Sequence, residues 1–515
     1  MKSRRFEEQT MAAKTTAETL KRHDPKHNAD YIFYELTRSI CPECRRVIDA
    51  KILLHDNKVY MRKRCPDHGD FEALIYADAQ AYTSSTRFNK PGTIPLKFST
   101  DIVHGCPHDC GLCPDHQQHA CVGIIEINSA CNMDCPLCFA DAGAGYNLTL
   151  EEVEAILDNF VATEGNPEVV QFSGGEPSIH PQIIPMMRAA AERNIRHIML
   201  NTNGRRIASD DDFLAELADL RPAIYFQFDG FDPKTYHLIR GEPDILPEKL
   251  RALDRLAEIH CPVILAPAIA RGVNEHEIGQ IIKFAMEHPT VFGVNFQPAF
   301  HAGRFMTHDP LQRLTNPELI GLVEQQTGGM FQISDFIPVP CCFPTCNSVT
   351  YAYIDGDTVT PLPRILNVED YLDYIANRVL LNFAEEIKIA LEGLWSSAAI
   401  PGTQKAAYNF ALTCAACGFP EGLEGVEGLM DHFFMIMFQD FLDPWTFNQK
   451  NVMKCCKEIL LPDGKQIPFC AYNNVGYREQ ARAQLTAQEP ARNRARRAGV
   501  HFQPQPLTFS FNDSC

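Results

Sequence analysis

Cysteine spacing constrains this chain more than any other feature. Twenty cysteines are spread over 515 residues, and most stand in tight groups. Cys41 and Cys44 are followed by Cys65 and His68; Cys106, Cys110 and Cys113 are followed by Cys131, Cys135 and Cys138; Cys341, Cys342, Cys346, Cys414, Cys417, Cys455, Cys456 and Cys470 come later. Thiols two or three residues apart are too close for most disulfide geometries and suit metal ions or iron–sulfur clusters. Such centres call for a reducing compartment, so the expected location is the cytoplasm. The first residues, MKSRRFEEQTMAAKTTAETL, are polar and lack the apolar stretch of a secretory signal. No run approaches the ~20 apolar residues of a bilayer span, which leaves peripheral contact as the one membrane association to consider. The formal charge of −18 argues against a nucleic-acid partner.

The organisation follows the same punctuation. Residues 1–30 read as a flexible lead-in, and 31–93 as a cysteine-knuckle module whose strands around Val47–Leu54 and Lys58–Arg62 flank a His55-Asp56-Asn57 turn. Residues 94–121 carry a second cysteine loop. From 122 to 314, strand patterns at 122–128, 168–174, 195–201, 223–229, 262–270 and 291–297 alternate with helical ones. Thr149 and Glu152 form a capping-box signature ahead of a helix with Val153, Ile156, Leu157 and Phe160 on one face. Six such units predict an α/β fold, a partial (β/α)6 barrel with its chemistry at the C-terminal ends of the strands. Residues 315–478 read as a separate cysteine-rich, cluster-binding domain with Met- and Phe-rich helical segments, and 479–515 as a solvated polar tail.

Cys131, Cys135 and Cys138 follow the first barrel strand directly. Three thiolates in one loop hold three irons of a cubane and leave the fourth open to a ligand. One unit later comes Ser173-Gly174-Gly175-Glu176-Pro177, where adjacent glycines permit close backbone approach and the carbonyls with Glu176 suit a cationic amine.

This pair of motifs resembles the radical S-adenosylmethionine superfamily over roughly residues 122–298. The resemblance implies a catalytic [4Fe–4S] cluster on Cys131, Cys135 and Cys138. It also implies S-adenosylmethionine contacts from Phe139, Ser173, Gly174, Gly175, Glu176, Asn201, Asn203, Asp229 and Asn274. Tyr236-His237-Leu238-Ile239-Arg240-Gly241 and Arg271-Gly272-Val273-Asn274 fall where that family has further motifs. The implied chemistry is reductive cleavage to a 5′-deoxyadenosyl radical that attacks an unactivated C–H bond, fed by an external one-electron donor such as ferredoxin or flavodoxin.

The other cysteines extend the picture. Cys41, Cys44 and Cys65 fit one mononuclear iron or zinc, with His68 or a more distant cysteine as fourth ligand. Cys106, Cys110 and Cys113, with Cys121 as a candidate fourth ligand, suit an auxiliary cluster. Cys341, Cys342, Cys346, Cys414, Cys417, Cys455, Cys456 and Cys470 supply at least one more, in pairings that spacing does not reveal; Cys261 and Cys515 read as free.

Over nearly its full length the pattern resembles the tetraether lipid synthase group of radical enzymes, a group that also carries the activity name 7,8-dihydro-6-hydroxymethylpterin dimethyltransferase. The resemblance implies three [4Fe–4S] clusters and a rubredoxin-like iron. The expected reaction is C–C bond formation between lipid alkyl chains, with C-methylation of a pterin precursor as the alternative. Lipid coupling asks for an apolar tunnel, for which Leu429, Met430, Phe433, Phe434, Met435, Met437 and Phe438 are candidates, although ordinary helix core is their commoner role. A pterin asks for convergent polar groups, and Asp229, His301 and Arg304 are candidates. A plain electron carrier is disfavoured, since it has no use for the Gly-Gly-Glu-Pro turn.

Overall fold

The computed structural model describes residues 29–305, 309–365, 367–371 and 432–511. Cys414, Cys417, Cys515, Leu429, Met430 and nearly all of the lead-in lie outside them.

The cysteine-knuckle module is a four-stranded antiparallel sheet, β1 (Ile32–Ile40), β2 (Val47–His55), β3 (Lys58–Cys65) and β4 (Gly69–Tyr76), in that order. Asp56 and Asn57 turn the central hairpin with φ of +48° and +57°, the left-handed pair that matches the twist of the flanking strands. The outer strands β1 and β4 were not anticipated. The sheet docks on the C-terminal part of the chain: Lys63 Nζ donates to Ser39 Oγ at 2.9 Å and to the Pro444 carbonyl at 2.6 Å, and the Phe71 and Trp445 rings meet edge-on.

The barrel strands are β5 (Val122–Asn128), β6 (Val169–Gly174), β7 (His197–Thr202), β8 (Ala223–Phe226), β9 (Val263–Leu265), β10 (Ala268–Ile269) and β11 (Val291–Pro298). After β12 (Ile337–Pro338), β13 (Asn347–Asp355) and β14 (Thr358–Pro361) come β15 (Phe433–Gln439), β16 (Lys457–Leu460) and β17 (Gln466–Pro468). One sheet runs β12-β13-β15-β11-β9-β8-β7-β6-β5-β16-β17. Its parallel part exceeds the six expected strands, because β15 joins β11 and β16 joins β5, both parallel. Among the described residues, the C-terminal region therefore lends its strands to both flanks of the barrel sheet. Phe433–Gln439, read as helical, is a strand buried along its whole length. A seven-residue run without polar alternation suits a strand covered on both faces, and its length is short for a helix.

The helices obey their caps. Thr149 Oγ1 accepts from Glu152 N at 3.2 Å and Glu152 Oε2 accepts from Thr149 N at 2.8 Å. The Leu150–Glu164 helix then buries Val153, Ile156, Leu157 and Phe160.

The polar tail, read as solvated, is exposed along much of its length but packs one face against the core. Residues Tyr477–Ala498 form a helix that buries Tyr477, Arg478, Ala481, Leu485 and Arg492. Arg492, fully buried, places Nε 2.9 Å from Glu152 Oε2 and Nη2 3.0 Å from Glu152 Oε1, while Arg478 Nη1 lies 2.7 Å from Glu126 Oε1. Phe509 and Phe511 close over the Tyr477 ring. Arg478 and Arg492 are here internal counter-charges, whereas Arg494, Arg496 and Arg497 of the same helix are exposed. No helix of the described residues is long and apolar enough to cross a membrane.

Arg492→Met leaves the Glu152 carboxylate buried without this partner. It is expected to cost about 3–5 kcal/mol of folding stability, read from urea unfolding of the purified protein. An unchanged midpoint would mean the tail helix lies outside the cooperative unit.

Candidate active site and metal centres

Strands β5 to β9, β11, β15 and β16 all contribute residues to one central cavity of about 220 Å³. At its mouth stands the loop after β5 with Cys131, Cys135 and Cys138, and beside it Phe139, Ser173, Gly174, Gly175, Glu176, Asn201 and Asn203. Burial pushes the Cys131 thiol up to about 11, and the nearby Glu176, Cys135 and Cys138 add to this. Burial also raises the Cys135 thiol, against the pull of the Arg240 guanidinium. Three thiols on one loop at the cavity are the donor set that a cluster at this loop would use.

The Gly-Gly-Glu turn has a second function besides the expected ligand contact. Gly175 N donates to Asn128 O at 2.9 Å and Glu176 N to Ala130 O at 2.8 Å, so the turn lies flat against the start of the cysteine loop. A Cβ on Gly174 would run into Asn128 O, and one on Gly175 into Ala130 O. The Glu176 carboxylate, expected beside the amine, is engaged within the protein. Oε1 accepts from Ser178 N at 3.0 Å and Thr202 Oγ1 at 2.6 Å, and Oε2 from Asn203 N at 2.7 Å. It clamps β7 to the turn.

Asp229 and Asn274 also differ from expectation. Asp229 is fully buried and accepts from Arg240 Nε at 2.7 Å, Arg240 Nη2 at 2.6 Å and Ala268 N at 3.0 Å. Asn274 donates to Asp229 O and Ala268 O, both at 2.8 Å, and accepts from Ala270 N at 2.9 Å. Both tie loops together at the strand ends, and neither lines the cavity, whereas Arg240 does. Arg304 is a brace for the cysteine loop: Nη1 donates to Cys135 O at 3.2 Å, and the side chain pairs with Asp134 and Asp141. His301 is buried beside Trp445 and its backbone N–H donates to Asp443 Oδ2.

Sequence reasoning missed the polar lining of the barrel. Glu126, Gln171, Tyr225, Gln227, Asn295, Gln297, Gln439 and Lys457 face the cavity. Period-two alternation marks them as one face of each strand, but only closure shows that this face is the lumen. Lys249 was missed as well: its Nζ donates to Asn203 O at 2.7 Å and Gln227 Oε1 at 2.8 Å, and burial pushes it down to about 8.

The remaining cysteines sort into groups. In the N-terminal sheet the ligand atoms of Cys41, Cys44, Cys65 and His68 all lie within 4.8 Å of one another, which makes His68 the neighbour that completes a four-donor set. Cys121, offered by spacing to the Cys106, Cys110 and Cys113 loop, instead lies within the same span of Cys341 and Cys456, with Cys342 adjoining. The reason is register. Lys457 pairs with Val122, so Cys121 and Cys456 immediately precede neighbouring parallel strands, and Val122 N donates to Cys456 O at 2.9 Å. Cys106, Cys110 and Cys113 share a loop that Tyr477 holds by donating to His108 O at 2.7 Å and accepting from Cys110 N at 3.1 Å. Cys346, Cys455 and Cys470 form a looser, half-buried set, close enough to influence one another's charge. Cys261 stands apart, its thiol donating to Pro222 O at 3.0 Å.

The radical SAM superfamily profile matches residues 125–285, and that of the HMPTM N-terminal zinc ribbon domain matches residues 33–77. The 7,8-dihydro-6-hydroxymethylpterin dimethyltransferase of Methanocaldococcus jannaschii is 31% identical over 480 residues, covering 86% of this chain and 94% of its own. The GTP 3′,8-cyclase of Chlorobaculum tepidum is 28% identical over 214 residues, 39% of this chain and 64% of its own. Among solved structures, Streptococcus suis SuiB bound to S-adenosylmethionine aligns at 16% identity and a TM-score of 0.35, over 41% of this chain and 47% of that one. The chain is a radical S-adenosylmethionine enzyme and belongs to the same family as 7,8-dihydro-6-hydroxymethylpterin dimethyltransferase.

Proposed function

We propose that this enzyme C-methylates a dihydropterin, with 7,8-dihydro-6-hydroxymethylpterin as its substrate. The observation that carries the reading is the set of amide side chains, Gln171, Gln227, Asn295, Gln297 and Gln439, in the cavity that the cysteine loop also lines, in a chain alignable nearly end to end with a pterin-methylating relative. The sequence pattern favoured lipid coupling first. Met435 and Met437, candidates for an apolar tunnel, line the same lumen, but an alkyl chain would leave the buried Asn295 Oδ1 there without a partner, while a pterin offers it an N–H.

When bound, the [4Fe–4S] cluster and one S-adenosylmethionine would supply a 5′-deoxyadenosyl radical to take the hydrogen atom, a second S-adenosylmethionine would give the methyl group and leave as S-adenosylhomocysteine, and an external ferredoxin- or flavodoxin-type donor would supply the electrons. The chain's own residues set the geometry. Cys131, Cys135 and Cys138 hold the cluster, and Ser173, Gly174 and Gly175 with Asn201 and Asn203 shape the wall for S-adenosylmethionine. Arg240, paired with Asp229, puts a positive charge beside Cys135. Phe139, Phe300 and Phe469 pack together at the mouth and limit water access. Cys41, Cys44, Cys65 and His68 hold one zinc ion, a Cys3His set of structural type. Cys121, Cys341, Cys342 and Cys456 hold one auxiliary cluster, and Cys106, Cys110 and Cys113 belong to another.

Anaerobically reconstituted enzyme given dithionite, S-adenosylmethionine and the dihydropterin is expected to yield 5′-deoxyadenosine and a methylated pterin by mass spectrometry. Unmethylated pterin, with membrane-spanning dimers formed when lipid is supplied instead, would reverse the choice. Replacing Cys131, Cys135 and Cys138 together by Ala is expected to remove about four irons per chain and all 5′-deoxyadenosine. Cys44→Ser is expected to lower zinc by about one ion per chain while leaving the iron content intact, as measured by elemental analysis.

A further inference from the structure

On the wall formed by β8, β11 and β15, four uncharged polar side chains make a single network. Asn295 Nδ2 donates to the Tyr225 hydroxyl at 2.7 Å and to Gln439 Oε1 at 3.3 Å, and Gln297 Nε2 also donates to the Tyr225 hydroxyl. A phenol has two lone pairs and one hydrogen. With both lone pairs taken, Tyr225 has its O–H left to give. Burial raises its pKa, so the hydroxyl keeps that hydrogen at any physiological pH. Asn295 has the opposite remainder. Both amide hydrogens are spent, and Oδ1 is buried with no hydrogen-bond partner, in a side chain 4% exposed that lines the cavity.

An acceptor that the protein leaves without a partner, buried in a cavity wall next to a hydroxyl with a hydrogen to give, calls for a donor from whatever fills the barrel. Both groups are met when a ligand brings an N–H and a C=O side by side. No charged side chain belongs to this network, and the nearby Glu126 charge is taken up by Arg478 at 2.7 Å. The complementary ligand edge is therefore neutral.

We propose that Asn295 and Tyr225, held by Gln297 and Gln439, are the specificity site of the barrel: Asn295 Oδ1 accepts from the ring N–H of a neutral lactam edge, and the Tyr225 hydroxyl donates to the adjacent carbonyl. This rests on the dihydropterin reading and assigns its pyrimidinone edge, the N3–H and C4=O pair, to the β8–β11 wall. Recognition of this kind discriminates strongly, because a ligand lacking the edge leaves both protein groups unpaired.

The test is equilibrium binding of 7,8-dihydro-6-hydroxymethylpterin to the reconstituted, S-adenosylmethionine-loaded protein, alongside its N3-methyl analogue. Wild-type protein is expected to bind the parent and to lose about tenfold to a hundredfold in affinity for the analogue. Asn295→Leu is expected to weaken the parent by a similar factor and to bind parent and analogue nearly alike. Tyr225→Phe is expected to weaken both ligands by about tenfold. Iron content and S-adenosylmethionine affinity report whether each variant is folded, and the wild-type comparison of the two ligands needs no variant. Equal wild-type affinity for parent and analogue overturns this assignment and leaves the dihydropterin reading standing. Failure of the wild-type protein to bind the parent overturns both.

Discussion

Strand β5 pairs parallel with β6 on one side and β16 on the other, and this double ladder organises the chemistry of the molecule. Cys121 precedes its first residue and the Cys131 loop follows its last. The seven-residue strand between them spans roughly 20 Å at about 3.3 Å per residue. The ladder to β6 brings Gly174 and Gly175 against the loop after β5, and the ladder to β16 brings Cys456 beside Cys121. A slip of one residue in either would turn lumen-facing side chains outward, moving the glycine turn off the cysteine loop in the one case and Cys456 away from Cys121 in the other.

Around that ladder, buried polar groups are spent on holding loops. Glu176 ties Thr202 and Asn203 to the glycine turn, Lys249 ties Asn203 to Gln227, and the Asp229 and Arg240 pair joins β8 to the helix that ends beside Cys135. Arg304 reaches back from the end of β11 to the carbonyl of Cys135. Such groups are costly to bury unless every partner is met, so meeting them leaves the loops few alternative arrangements. A cubane and its ligand need that rigidity, because small displacements of reacting groups cost large factors in rate.

The two ends of the chain serve the barrel. The N-terminal sheet rests on the segment around Pro444 and Trp445, and the Tyr477–Ala498 helix carries Arg478 to Glu126 and Arg492 to Glu152. Both carboxylates belong to the first βα unit, so the last helix closes on the unit that presents the cysteine loop.

Much of this was legible from residues near one another in the chain. Cys131, Cys135 and Cys138 with Gly174 and Gly175 identify the chemistry because their spacing and their place after two consecutive strands suffice. Thr149 and Glu152 announce their helix for the same reason: a cap is a contact across three residues. What proximity in sequence cannot express is which distant segments become neighbours. Cys121 joins Cys341 and Cys456 through strand register, Arg492 finds Glu152 through the docking of the last helix, and Phe433–Gln439 becomes a strand because β11 and β13 cover its edges. Asn295 and Tyr225 face each other only because the sheet curls. Short-range geometry is written in residue order, whereas long-range pairing is a property of the closed barrel, decided when its hydrogen-bond ladders and buried charges are satisfied together.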